Sequence, residues 1–324
     1  MADAMTSKRA KVLNTRARGS AAAGRLTLAQ SKQQLATQTQ VGQTAHFVVY
    51  TDGSADGNAS AQKVLAACEA DFAAMQGWFG GLNLPPGQDG DDQTTVRTAL
   101  PLRIAMDSQA GGAYHYSCPG TDIFIEPTPD LATGLVVAEV VEVFEAAIAN
   151  GWDCGQANGE CLSRALAVER NNNLGSLIVD TANSWWNDGH SDYVNDNSAN
   201  DQDQDSNGCG TLFLYYLHSQ LNFSWTQIVA AGGSTLGATY QKLTGKDPQA
   251  GFQDFLGRLA TVDDGSNLKL PATGNPFPLS GTATPRKTGG GINLGSNGGL
   301  IIGAIVVILI IVGIVLIASG QLKL

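Results

Sequence analysis

Residues 131–150 read LATGLVVAEVVEVFEAAIAN, and soon after them Asn158–Arg164, NGECLSR, opens a second stretch of similar character. Apolar residues recur three and four apart in both, so the spacing predicts one helix over 131–150 and another over 159–170. Glu139, Glu142 and Glu145 fall at i, i+3 and i+6 of the first, which places three carboxylates along one side. With Val, Phe, Ile and Ala elsewhere, that stripe reads as the solvated face of an amphipathic helix. The competing reading makes it the acidic wall of a cleft, with Glu160 supplied by the second helix.

Upstream lie three short β-prone runs bounded by Gly, Pro, Asp or Ser: 45–51 (AHFVVYT), 101–107 (PLRIAMD) and 121–126 (TDIFIE). Between the first two, Val64, Leu65, Cys68, Phe72, Met75 and Trp78 form one stripe of a helix over 60–79. Downstream the pattern is helical over 209–222, 225–231, 234–243 and 249–259. The expected class is α+β, a small mixed or antiparallel sheet followed by a helical subdomain, with the globular part over about 41–263.

This order of parts resembles the gluzincin metallopeptidases. There a helix bearing HExxH supplies two zinc-binding imidazoles and a glutamate that activates water, and the next helix supplies a third ligand, a glutamate. The run GTLFLYYLHSQLNFSWTQIVAAGGSTLGATYQKLTG, beginning at Gly210, resembles the helical tail of such peptidases. On that resemblance Glu139 stands at the general base, Glu142 at the second metal ligand and Glu160 at the third, while the first ligand position is Ala138. HExxH works because residues i and i+4 share a helix face and bring two imidazoles to one ion. Two carboxylates without imidazole disfavour zinc and favour hard cations, which need more oxygens than these. The resemblance therefore implies a non-catalytic domain whose cleft binds a peptide or protein partner, with Glu139, Glu142 and Glu160 vestigial. The alternative is a working metal-dependent hydrolase with Glu139 as base and a metal on Glu142, Glu160 and either His115 or His218.

Residues 180–205 hold seven aspartates and no Lys or Arg. Within and just beyond them Asp203, Asp205, Asn207 and Gly208 fit the opening of a calcium loop, in which alternate side chains turn inward and glycine allows the bend. The twelfth position, counted from Asp203, is Leu214 rather than the glutamate an EF-hand requires. A polar loop at a helix N-terminus explains the run equally, and a calcium-binding surface or adhesion module remains a third functional reading. Nucleophile-elbow, P-loop and dinucleotide motifs are absent. Cys118, Cys154 and Cys161 are candidates for a disulfide whose pairing the sequence leaves open.

The formal charge of −10 is divided unevenly: residues 1–40 carry seven basic residues against Asp3, and the remainder is −16. An acidic body argues against nucleic-acid binding, and the arm reads as a solvated, mobile tail. Residues 264–299, rich in Gly, Pro, Ser and Thr, read as a flexible tether, and their LPATG at 270–274 is set too far from the apolar run for a sortase signal. Leu300–Ala318, nineteen residues without a polar side chain, is long enough for one transmembrane helix, with a short tail over 319–324. With no leader evident near the N-terminus, the expected protein is tail-anchored. Arg286 and Lys287 before the span against Lys323 after it bias the globular part to the cytoplasmic side.

Overall fold

The computed structural model describes residues 15–17 (backbone only), 26–90, 92–197, 203–271 and 274–277. Leu300–Ala318 lies outside the described residues, and among those described no helix is long and apolar enough to cross a membrane.

The strands are β1 (Thr15–Ala17), β2 (Thr39–Gln43), β3 (Phe47–Thr51), β4 (Leu102–Met106), β5 (Ala113–His115) and β6 (Asp122–Ile125). They form one sheet in the order β1-β5-β6-β4-β3-β2. The centre is parallel, with β3 beside β4 and β4 beside β6, while β2 pairs antiparallel with β3 and β5 antiparallel with β6. The helices are α1 (Leu28–Thr37), α2 (Ala55–Trp78), α3 (Ala132–Ile148), α4 (Ala157–Arg170), α5 (Gly175–Asn187), α6 (Gln204–Tyr215), α7 (Trp225–Ala230), α8 (Leu236–Thr244) and α9 (Pro248–Leu259). The class is α+β, a small mixed sheet with helices, as the sequence implies.

Strand alternation sorts side chains between two cores. Leu102, Ile104 and Met106 of β4, Ile123 and Ile125 of β6, and Ala113 of β5 enter the main core with α2 and α3. Ala105, Phe124 and Tyr114, one residue out of phase, meet Leu35 of α1 in a smaller core. His115 is therefore in phase with Ala113 and falls on the face covered by α3.

The N-terminal arm departs from the expected mobile tail. Thr27 and Gln30 close a capping box on α1, and Ser31 Oγ lies 3.1 Å from the Tyr114 hydroxyl. Lys32 is buried and donates to Asp92 O at 2.7 Å and to the carbonyls of Gly90 and Thr95. One of the arm's seven basic residues is thus a structural pin, its charge spent on loop carbonyls. The expected tether departs likewise at its start: Leu268 and Phe277 are buried, and Phe277 packs on Tyr216 and Phe255.

Helix α5 is not among the expected helices. Its Asp, Thr, Asn and Ser obscure a buried face of Leu177, Ile178, Ala182 and Trp185. Helix α6 is followed by a single π turn over Tyr216–Gln220, which shifts the frame after Tyr215 by one residue per turn.

Candidate functional site

Helix α3 is enclosed. It touches α2, α4, β5, β6 and the backbone of β1, and every residue from Gly134 to Glu145 is buried. The solvated-face reading of its acids is overturned: Glu139 and Glu142 are 0% exposed and Glu145 is 1% exposed. A helix with Leu, Val and Phe on all sides has no face to give to water, so its polar residues are buried with the rest.

Buried carboxylates require partners. Glu142 Oε2 lies 3.1 Å from His115 Nε2, and Glu139 Oε2 lies 3.9 Å from the same nitrogen. His115 Nδ1 sits 2.9 Å from the Gly120 carbonyl, which can only accept, so Nδ1 carries the proton and Nε2 faces the two acids. Of the two histidines the sequence offers to the cluster, the structure selects His115. His218 instead contacts the Phe223 carbonyl at 2.7 Å and stacks on Trp225.

Glu160, also 0% exposed, is held by a residue the sequence reading overlooks. Arg164, one turn along α4, donates to Glu160 Oε2 at 2.8 Å and to Asn207 Oδ1 at 3.0 Å. A Glu-Arg pair at i, i+4 was a usable sequence signal. The guanidinium compensates the buried carboxylate without any metal ion.

Glu145 stands apart, with both oxygens buried and without a hydrogen-bond partner. Burial, and then the negative charges of Glu142, Glu160 and Asp153, push its pKa well above the usual 4.5. It lines an open pocket of about 350 Å³ with Cys118, Cys154, Trp152 and Asp153. A Cβ at Gly159 would lie 2.3 Å from the Asp153 carbonyl oxygen and 2.6 Å from Glu145 Oε2, so the glycine of the NGE run is needed where the start of α4 packs on the Asp153 backbone. The preceding Asn158 is fixed by amide donation to the carbonyls of Gly151 and Gly233, both at 2.8 Å.

Cys118 and Cys154, both of which line this pocket, form a disulfide with Cα atoms 5.8 Å apart. Cys68, Cys161 and Cys209 are free and buried, and burial raises the Cys161 thiol to about 12. Among the described residues, one group of three donors comes within ligating reach: His115, Glu142 and Cys154, whose donor atoms all lie within 4.8 Å of one another. Glu160 is not part of it.

The acidic run is placed differently. Asp203 caps α6, its Oδ1 accepting from the backbone N–H of Asp205 and Ser206, each at 3.0 Å. Asp205 accepts from the Ser184 hydroxyl at 2.9 Å, and Asn207 faces Arg164. The three oxygens proposed for calcium diverge into a helix cap, α5 and α4. An acid at a helix N-terminus satisfies the exposed N–H groups without any ion.

No protein family, curated protein or solved structure matches this chain.

Proposed function

We propose that this domain is a peptide- or protein-binding module on a gluzincin-like frame whose catalytic carboxylates have become structural. One observation carries the reading: β5 already accepts an extended segment. Residues Thr15–Ala17 add to it as a parallel strand, in register Thr15 to Ala113, Arg16 to Tyr114 and Ala17 to His115. Strand addition draws affinity from main-chain hydrogen bonds and specificity from flanking pockets. Two pockets draw on the loop that follows β5: an acidic one with Cys118, Glu145 and Asp153, and an apolar one with Leu84, Pro85, Pro119 and Val143 among its walls. The segment already docked comes from the +6 arm and meets a −16 body, so the favoured partner is an extended basic peptide with an apolar residue.

Catalysis is disfavoured because the acids are enclosed. Glu139 is fully buried beneath His115, and Glu160 is tied to Arg164. We retain the C-terminal span as the membrane anchor. The Cys118–Cys154 bond supports placing the domain on an oxidising face of that membrane, against the weak charge bias.

The test is amide hydrogen exchange on the full-length protein, with and without an extended basic peptide. Binding should release the arm and speed exchange over 15–17 while 113–115 stay protected, and deleting residues 1–25 should tighten binding at least tenfold. Peptide binding that leaves exchange over 15–17 unchanged would refute edge docking. Peptidase turnover abolished by Glu139→Gln would refute the non-catalytic assignment.

A further inference from the structure

We propose that reducing the Cys118–Cys154 disulfide creates a closed zinc site beneath α3, with Cys118, Cys154, His115 and Glu142 as its four ligands. Donor atoms of three of them already lie within 4.8 Å of one another. Tetrahedral zinc with bonds of roughly 2.0–2.3 Å spaces its ligand atoms about 3.3–3.8 Å apart, so small side-chain rotations suffice. The fourth ligand is delivered by the covalent bond itself, since Cys118 Sγ is joined to Cys154 Sγ.

The imidazole is already oriented for a metal. Its Nδ1–H donates to the Gly120 carbonyl at 2.9 Å, the outer hydrogen bond that metal-bound histidines typically make, and Nε2 is turned toward Glu142. An imidazole lone pair and a carboxylate 3.1 Å apart need a proton or a cation between them. In the disulfide form a proton serves. In the dithiol form the chain offers two sulfurs, one nitrogen and one oxygen, a donor set that selects zinc over calcium or magnesium. The incoming ion also brings positive charge to the buried acids Glu139 and Glu145.

The site differs from the metal site the sequence suggests: it shares Glu142 and His115, takes its other two ligands from the cysteines, and leaves out Ala138 and Glu160. Four protein ligands leave no open position for water, so the site is structural and does not depend on the peptide-binding reading.

The gate is ordinary thiol–disulfide exchange with a dithiol reductant. A reductant thiolate attacks the sulfur of Cys118, which is partly exposed at the pocket. The Cys118–Cys154 bond breaks, Cys154 leaves as thiolate, and a mixed disulfide forms on Cys118. The reductant's second thiolate closes its own ring and releases Cys118 as thiolate. Two electrons pass to the cysteine pair, the reductant leaves as a cyclic disulfide, and zinc takes both thiolates; the dithiol's two protons and the one held between His115 and Glu142 go to solvent. The remaining described thiols do not compete: Cys68, Cys161 and Cys209 are buried, and burial raises all three.

The test counts zinc per chain in the full-length protein, oxidised and phosphine-reduced, after dialysis against buffered zinc, with cobalt replacing zinc in a parallel sample. Reduced protein should hold one zinc and show a thiolate-to-cobalt charge-transfer band. Oxidised protein should hold less than a tenth as much and show no band. Equal zinc in both states would overturn the proposal, as would a reduced chain of native circular dichroism that binds none, or reduction that unfolds the chain before zinc can bind. His115→Gln should lower the reduced protein's affinity at least tenfold, and an unchanged affinity would overturn the proposal. Cys118→Ser leaves Cys154 free without reductant, and it should bind zinc in air-oxidised buffer where the wild type does not. That gain cannot come from misfolding, and its absence in a folded variant would overturn the assignment.

Discussion

His115 Nε2 lies 3.1 Å from Glu142 Oε2, and neither side chain has any exposure to solvent. This contact joins the strand nearest the docked arm to the central helix. A buried pair is costly to break because the survivor keeps its desolvation penalty. His115→Ala should lower unfolding free energy by about 3–5 kcal/mol in urea titrations. Replacing both residues by leucine should recover most of that loss, because an apolar pair leaves no stranded charge. A double variant as unstable as His115→Ala would show that Glu142 is held mainly by other groups.

Glu145 should make the domain less stable as pH rises. Its folded pKa is raised above 4.5 by burial and by neighbouring carboxylates, so the folded state binds the proton more tightly than the unfolded chain. Its contribution is fully present below the unfolded pKa and is lost as pH climbs from about 4.5 through the higher folded value. Glu145→Gln should flatten that slope and raise stability at neutral pH by roughly 1–3 kcal/mol. Thermal unfolding of both proteins across pH 4 to 8 reads the difference, and parallel curves would remove Glu145 as the cause.

Arg164→Met should destabilise the domain by about 3–5 kcal/mol, since it strips the guanidinium from a fully buried Glu160. It also cuts the link from α4 to Asn207 on α6. Adding Glu160→Gln should restore part of the loss. Denaturation of the two single variants and the double variant measures the coupling, and strictly additive losses would deny the pair any special role.

The Cys118–Cys154 bond closes a loop with a sequence separation of 36. Loop-closure entropy assigns such a crosslink about 3–4 kcal/mol. Replacing both cysteines by serine should lower stability by that amount in metal-free buffer, measured by urea denaturation. A loss below about 1 kcal/mol would mean the unfolded chain is already compact there.

Much of the frame is legible in residue order. The β-prone runs at 101–107 and 121–126, bounded by turn-forming residues, mark two strands, and the apolar spacing of 131–150 marks a helix, because both signals follow from local backbone geometry. Glu139, Glu142 and Glu160 are singled out by position, and all three are buried. The solvated-face reading of Glu139 and Glu142 overlooks that α3 carries apolar residues on every side, which leaves no face for water. Helix α5 was hidden because its polar residues outnumber the four that pack.

What the sequence alone determined is the α+β class, the position of the main helices and the absence of a ligating group at Ala138. Only the tertiary structure decided that His115 rather than His218 meets Glu142, that Cys118 pairs with Cys154 rather than Cys161, and that Asp203 caps a helix. These are choices between groups distant along the chain: His115 and Glu142 are 27 residues apart, and Cys118 and Cys154 are 36 apart. Local propensity carries no information about such separations. They are settled when sheet and helices close on a shared core, and each buried charge or thiol must take whichever partner the packing brings within reach.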